Sequence, residues 1–283
     1  MNDSRFGLIF AVSLLACTSA PESSPLPEPV ASAPPPAAAA AESPVPTPVR
    51  KAKEQVTLRA TWAQFDGAER PQLVAHLEPI PEWHIYWAHP GEAGLPTRFH
   101  LERDAAQLDH RTQMPLPKRL TSPGDIVTYG YEGETHFFID SDQAGSGGAF
   151  TLRADWLACK EVCIKGKATV RVPGVPAKGL PAPQAMQKDW DERPKAKAVK
   201  WQKEGPAWVL EMPTAQRLEL YPHSDLQLAL DQTRPPYCKG NRCRIKLPPS
   251  AFQEHTALAY TLRVENKNTT QGFEADFLKG TQP

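Results

Sequence analysis

The sequence predicts an all-β protein with two successive β-sandwich domains. Short segments at 56–60, 151–154 and 168–172 alternate apolar and polar residues. A period of two places one face of a strand in a core and the other in water. Turn-forming pairs such as Pro173-Gly174 separate these segments, and helical periodicity is confined to one short stretch, 183–193.

The alternating segments fall into two groups. We place a first domain at residues 54–178 and a second, smaller β domain at 198–280. A linker at 179–197 carries the predicted helix and joins the two. The strands predicted for the second domain are 207–211, 217–220, 243–247 and 260–264.

The first 17 residues resemble a bacterial lipoprotein signal peptide. Arg5 precedes an apolar run, 6–16, which is too short to span a bilayer but suits a signal peptide. The run ends in Leu-Leu-Ala-Cys, which resembles the lipobox, so we expect cleavage before Cys17 and acylation of its sulfur. An ordinary signal peptide with an incidental cysteine is the alternative.

Residues 18–53 form a Pro- and Ala-rich tether, either extended polyproline II or disordered. The chain is therefore expected in the bacterial cell envelope, lipid-anchored and facing the periplasm. Thr18 replaces the Asp that commonly signals inner-membrane retention, which favours the outer membrane.

The overall charge argues against nucleic-acid binding. The 283 residues contain 32 Lys plus Arg and 32 Asp plus Glu, so the net charge is zero. A nucleic-acid partner requires an excess of basic residues to neutralise phosphates.

The five cysteines are the most informative residues for predicting function. Cys17 is assigned to the lipid, and the other four form two local pairs, Cys159/Cys163 and Cys238/Cys243. In an oxidising compartment such pairs are disulfides or dithiols, and proximity makes these partners the default.

The Cys-x3-Cys spacing requires a chain reversal. In a straight strand Cys159 and Cys163 would be roughly 13 Å apart, whereas a disulfide needs Cα atoms within about 7 Å. The chain must turn through 160–162, as a hairpin loop or one helical turn, and the flanking strands favour a hairpin. So short a loop contributes only about 2 kcal/mol, which suits a redox centre better than a staple; a staple remains the alternative.

We expect no metal or other cofactor at this pair. Two thiolates form an incomplete ligand shell, and no Cys-x2-Cys or His-x3-His spacing completes it. Lys160, Lys165 and Lys167 would increase the thiolate fraction and Glu161 would oppose them, unless all four are solvated hairpin charges.

The second cysteine pair, Cys238/Cys243, is predicted to be structural. Between Cys238 and Cys243, Gly240-Asn241 predicts a tight turn before a strand. We interpret this segment as a hairpin clamped by a structural disulfide.

Three sequence blocks resemble a known family. They are an aromatic strand with a Pro-Gly-x-x-Gly-Leu-Pro turn at 84–97, a Tyr-Gly-Tyr-Glu-Gly-Glu block at 129–134, and the cysteine block at 156–164. In this order they resemble the N-terminal periplasmic domain of DsbD and ScsB-type disulfide reductases over about 54–175. Residues 198–280 resemble more loosely the segment that follows in ScsB-like proteins.

The resemblance implies an immunoglobulin-like sandwich with the cysteine pair exposed at one end. It makes Cys163 the exchanging sulfur and Cys159 the resolving one. A family cap loop over the cysteines matches 125–131, which contains Tyr129 and Tyr131. The aromatic strand under the site supplies His84 and Tyr86, so these four side chains form the expected supporting site.

The resemblance also implies partners. In the family this domain takes electrons from a transmembrane donor and passes them to periplasmic thiol proteins. This chain has the shorter Cys-x3-Cys spacing, and its sequence shows no transmembrane conduit or thioredoxin-like motif. We therefore expect a thiol–disulfide oxidoreductase component that another protein must recharge.

Two functions follow. The first is a membrane-anchored thiol–disulfide exchange module that relays electrons through Cys159 and Cys163. The alternative is a non-catalytic β-sandwich interaction module for redox or copper-handling envelope proteins. Copper is suggested by the ScsB resemblance and by His84, His89 and His223, but no Met-rich or His-rich tract supports it.

Overall fold

A computed structural model describes residues 55–145, 148–197, 199–212, 215–223, 237–239, 242–247 and 257–278. Within these ranges the protein is almost entirely β-structure, and the predicted all-β class with sandwich domains is confirmed. No helix in the described part of the chain is long and apolar enough to cross a membrane. The predicted signal peptide with Cys17, the tether and the Gly240-Asn241 turn lie outside the described residues.

The first part of the chain forms two sheets. Its elements are β1 (Val56–Gln64), β2 (Gln72–Pro79), β3 (His84–Gly91), β4 (Arg98–Arg103), β5 (Ala106–Leu108), β6 (Arg111–Gln113), β7 (Lys118–Ser122), β8 (Ile126–Glu132), β9 (Thr135–Asp140), the one-turn helix α1 (Asp142–Gly145), β10 (Phe150–Cys159) and β11 (Cys163–Val172). One sheet has the order β5-β4-β10-β3-β8-β7, with β11 added on β10. In the other, β1, β2, β9 and β6 are neighbours in that order.

The second part contains two four-stranded sheets. The remaining elements are β12 (Leu180–Pro181), α2 (Gln184–Glu192), β13 (Lys195–Ala196), β14 (Trp201–Glu204), β15 (Ala207–Met212), β16 (Arg217–Pro222), β17 (Tyr237–Lys239), β18 (Arg242–Leu247), β19 (Ala257–Glu265) and β20 (Thr270–Leu278). The sheet orders are β13-β20-β19-β16 and β14-β15-β18-β17. A core that includes Trp201, Tyr260 and Leu262 is shared by both sheets.

Strand alternation explains the core of the first part. Leu73, Ala75 and Leu77 of β2 point into the core between the two sheets, together with Phe137 of β9. The other face of β2 is also covered, because Val74 packs with residues of α2. A strand buried on both faces loses the alternation that marks a half-exposed strand.

Helix α2 confirms the helix predicted at 183–193. Its Trp190 stacks on Phe65, with ring centroids 4.6 Å apart, and its Met186 is buried beside it. The predicted linker also supplies short strands to both parts, since Leu180 pairs with Ala63 of β1 and β13 pairs with β20. The domain limits placed from the sequence stay a prediction.

Aromatic side chains join the two parts. Tyr221 of β16 packs on Tyr129, with centroids 5.1 Å apart, and on Trp87. His223 stacks on His89 with centroids 4.0 Å apart and ring planes within 7°. Residues 48–283 form one compact unit, so these contacts lie inside a single body.

Candidate redox site at the tip of the β10–β11 hairpin

Cys159 and Cys163 close the tip of a long hairpin. Strands β10 and β11 pair without interruption from Phe150↔Val172 to Cys159↔Cys163. The three connecting residues turn with a hydrogen bond from the Lys160 amide to the Val162 carbonyl, 3.2 Å. The two sulfurs are bonded and the Cα atoms are 4.2 Å apart. We call this bond the hairpin-tip disulfide; of the two geometries left open by the spacing, the chain adopts the hairpin.

The two cysteines differ sharply in exposure. Cys159 is only 2% exposed and packs in a small cluster with Tyr86 and Leu157. Cys163 is exposed, and Val162 beside it is 55% exposed. The difference follows from strand position: the Cys159 end of β10 pairs with β3 as well as β11, whereas β11 pairs with β10 alone among the described strands.

His84 and Tyr86 share the face of the sheet that carries Cys159. His84 is the register partner of Cys159 on β3, and its Nε2 lies 3.3 Å from the Tyr86 hydroxyl. Burial lowers the pKa of His84, opposed by the Glu132 carboxylate, and burial raises the pKa of Tyr86. Both side chains are therefore uncharged at neutral pH, as expected beside a buried sulfur.

The expected placement of Tyr129 and Tyr131 at the site is wrong. The stretch matched to a cap loop is strand β8, apart from its first residue, Asp125. Tyr131 is the register partner of Ile85, whose side chain lies in the core, so Tyr131 also points away from the cysteines. Its hydroxyl donates to the Pro115 carbonyl, 2.8 Å.

The sheet register explains the error. Side chains alternate between faces, so neighbours of a strand residue that faces the core also face it. Tyr129 lies in the same core, and burial raises the pKa of both tyrosines. Asp125 lies at the end of β8 remote from Cys159, because His84 pairs with Glu132 at the near end.

The turn after β3 covers Tyr86 instead. A Cβ on Gly94 would lie 2.5 Å from the Tyr86 ring, so the bare backbone packs on the aromatic face. The hydroxyl of Thr97 donates to the Tyr86 carbonyl, 2.7 Å. At the other end Glu92 exchanges two hydrogen bonds with the Val127 backbone, 2.7 and 2.9 Å. The Pro-Gly-x-x-Gly-Leu-Pro motif was visible in the sequence, but this covering role was not.

Two lysines near the exposed sulfur differ in whether a carboxylate already binds them. The Lys160 ammonium lies 2.7 Å from the Glu82 carboxylate, whose hydrogen bond raises the pKa of Lys160. The positive charge of Lys160 is therefore partly neutralised by Glu82. Lys165 lies two residues beyond Cys163 on the same face of β11 and is exposed.

A shallow groove of about 520 Å³ runs along this face from the turn after β3 to β11. Three of its side chains are basic and one is acidic. The groove is lined by Leu95, Pro96, Arg98, Asp155, Trp156, Lys165, Gly166 and Lys167.

The second disulfide, Cys238–Cys243, joins β17 to β18. Cys243 is fully buried in the core of the second part, whereas Cys238 is exposed. This placement fits the predicted structural clamp.

A solved structure has a similar fold. The N-terminal periplasmic domain of ScsB from Proteus mirabilis matches with a TM-score of 0.56 and 17% identity, over 80% of this chain and 95% of that one. The Neisseria meningitidis DsbD N-terminal domain in the reduced form matches with a TM-score of 0.33 and 12% identity, over 44% of this chain and 89% of that one. A comparison with curated proteins found no match.

The family comparison covers the hairpin. The family model described as thiol:disulfide interchange protein DsbD, N-terminal, matches residues 53–173. This segment includes the aromatic strand, the turn that covers it and both cysteines of the hairpin-tip disulfide. Residues 53–173 are therefore similar to the N-terminal domains of DsbD, as the sequence blocks predict.

Proposed function

We propose that the chain is a membrane-anchored thiol–disulfide exchange module that relays electrons in the cell envelope through Cys159 and Cys163. The observation that carries the proposal is the asymmetry of the hairpin-tip disulfide. One sulfur is shielded and the other is exposed, in a segment that matches the family model of DsbD N-terminal domains. Cys238–Cys243 shows a similar difference in exposure, so the proposal rests on the asymmetry together with the family match, which includes Cys159 and Cys163 but not the second pair.

In the reduced state the exposed Cys163 thiolate attacks a disulfide of a partner protein. A mixed disulfide forms between Cys163 and one partner sulfur, and the other partner sulfur leaves as a thiolate. Cys159 then loses its proton and attacks the Cys163 sulfur, which restores the hairpin-tip disulfide. Two electrons pass to the partner, which leaves as a dithiol after taking up two protons.

His84 is suited to accept the Cys159 proton. It lies opposite Cys159 in the strand register, and its lowered pKa leaves a neutral imidazole with a free lone pair. Lys165, on the same face as Cys163, favours the attacking thiolate by charge attraction. Lys160 contributes less because Glu82 binds its ammonium.

The proposed partners are periplasmic thiol/disulfide proteins and a transmembrane electron donor that recharges the pair. The groove beside the site carries Arg98, Lys165 and Lys167 against Asp155, which favours partners with an acidic rim. We place the module at the periplasmic side of the outer membrane, held by a lipid on Cys17 and a tether at 18–53. The ScsB domain that shares the fold is itself periplasmic.

The test is to trap partners in the native envelope with single-cysteine variants. In Cys159→Ala, Cys163 has no internal partner, so mixed disulfides should accumulate and appear on non-reducing gels, with partners identified by mass spectrometry. In Cys163→Ala, Cys159 is shielded and should trap little. Both variants should stay folded, because the short loop contributes only about 2 kcal/mol.

Two results would contradict the proposal in different ways. Adducts formed mainly through Cys159 would reverse the roles of the two sulfurs while keeping the exchange. An absence of adducts in both variants, with circular dichroism showing an intact fold, would favour a non-catalytic interaction module.

A further inference from the structure

Two histidines lie side by side on the outer face of the β1-β2-β9 sheet, the face opposite the core. His76 of β2 and His136 of β9 are register partners, and their ring centroids are 5.1 Å apart. Each side chain is only 8% exposed. Two imidazoles opposite each other could not both be protonated without repulsion, so at least one of them is neutral and has a lone pair that can bind a metal ion.

Two carboxylates converge on this pair. An Oε1 atom of Glu134 lies 3.3 Å from His76 Nδ1. An Oδ2 atom of Asp189, on helix α2, lies 2.5 Å from His136 Nδ1. Nitrogen and oxygen atoms from β2, from β9 with the turn that precedes it, and from α2 therefore meet at one place.

The hydrogen bonds leave lone pairs available. If His136 donates from Nδ1 to Asp189, its Nε2 carries a free lone pair, which is the carboxylate–histidine arrangement common at zinc. The Nε2 of His76 lies 2.8 Å from the Thr61 hydroxyl. When that nitrogen donates its proton to Thr61, the Nδ1 lone pair faces the Glu134 carboxylate.

One measured spacing matches a metal shell, and the third ligand is near enough to complete it by a small side-chain movement. With bonds of about 2.0–2.1 Å, two ligands of a tetrahedral zinc are about 3.4 Å apart, close to the 3.3 Å between His76 Nδ1 and Glu134 Oε1. Ligand atoms of His76, Glu134 and His136 all lie within 4.8 Å of one another. We propose that these three residues bind a Zn²⁺ ion, with Asp189 orienting His136 and the exposed side left for water.

One neighbouring cation competes for Glu134. Arg59 of β1 is the register partner of His76, and its guanidinium is 2.6 Å from Glu134 Oε1. Arg59 also contacts Glu78 at 3.2 Å, so it keeps an ion-pair partner when Glu134 turns to a metal. The Glu134 side chain is 40% exposed, which leaves it free to turn.

The test is calorimetric titration of the purified full-length chain with Zn²⁺, and with Mg²⁺ as the control ion. The cysteines are kept oxidised, so that no thiolate competes for zinc. We expect one tight Zn²⁺ site, and no Mg²⁺ binding at the same concentrations, because imidazole is a poor ligand for Mg²⁺. The site should weaken at least tenfold in His76→Gln, His136→Gln and Glu134→Gln, and 10- to 100-fold in Asp189→Asn.

The chain offers a matched control. His100 also pairs with a carboxylate, Asp155 at 3.0 Å, but among the described residues it belongs to no cluster of three possible ligands. His100→Gln should leave Zn²⁺ binding unchanged. Glu134→Gln alters an exposed side chain, so it keeps the test valid even where a histidine variant unfolds; circular dichroism of the metal-free variants checks the fold.

Three outcomes would overturn the inference. They are no stoichiometric Zn²⁺ binding to the wild type, equal binding to Mg²⁺, and Zn²⁺ binding that Glu134→Gln and the folded histidine variants leave unchanged. The first would mean that the four residues form a hydrogen-bonded network without a metal. None of them bears on the hairpin-tip disulfide, which lies on a different sheet.

Discussion

Gly94 keeps Tyr86 over the shielded sulfur, and replacing it with alanine tests that role. Gly94 has φ +106°, and an added Cβ would lie 2.5–2.7 Å from three atoms of the Tyr86 ring. Either the turn or the ring must move. Because Tyr86 packs with Cys159, either movement loosens the cover of that sulfur.

The magnitude has two parts. A non-glycine residue in the left-handed region costs about 1–2 kcal/mol, and forcing an extra methyl into a packed contact costs about 1–3 kcal/mol. We therefore expect Gly94→Ala to lower the free energy of unfolding by about 2–5 kcal/mol. The free energy of unfolding of a typical domain is about 5–15 kcal/mol, so the variant should still fold.

Gly124→Ala is the matched control. Gly124 also has positive φ, +88°, but an added Cβ meets nothing within 4 Å. Its loss should be the backbone part alone, about 1–2 kcal/mol. Urea unfolding measures both variants, and alkylation of the reduced protein measures how fast Cys159 reacts. Equal losses in the two variants, or unchanged alkylation of Cys159 in Gly94→Ala, would refute the covering role.

Three further predictions follow from the contacts. Reductant should open the hairpin-tip disulfide before Cys238–Cys243, and Cys243→Ala should lower Tm because it empties a core position; simultaneous opening in differential alkylation would refute the order. Burial, and then His89, lowers the pKa of His223 to about 3 from 6.5, so the folded state resists protonation and stability is complete only above pH 6.5. Between pH 6.5 and 5 the free energy of unfolding should fall by about 2 kcal/mol, less in His223→Gln; a pH-independent value would contradict this. Cys17→Ser should release the chain from the membrane fraction, and an unmodified N-terminus beyond residue 17 in mass spectra of the wild type would refute the anchor.

Local features were the predictable ones. The hairpin at 152–172 and the helix at 183–193 follow from short-range patterns, namely strand alternation on both sides of a tight turn and an isolated apolar periodicity. The disulfide between Cys159 and Cys163 needed only the reach of four residues. None of these conclusions required knowing which strand lies beside which.

Features set by strand register were not predictable. The resemblance of 125–131 to a family cap loop places Tyr129 and Tyr131 at the site, yet the pairing of Tyr131 with Ile85 turns both tyrosines into the core. A shift of one residue would have reversed the outcome. The ion pair between Glu82 and Lys160 joins residues 78 positions apart, and no spacing rule connects them.

The register of one strand end accounts for the difference in exposure between the two cysteines. Cys159 ends a strand that has neighbours on both sides, β3 and β11, so Tyr86 and the turn after β3 can close over it. Cys163 begins the next strand, which among the described strands has a neighbour on one side only. The pairing that brings the sulfurs together therefore also makes one accessible and the other shielded. On this basis a substitution that displaces β11 without breaking the disulfide should change which sulfur reacts first, whereas one confined to the second part should not.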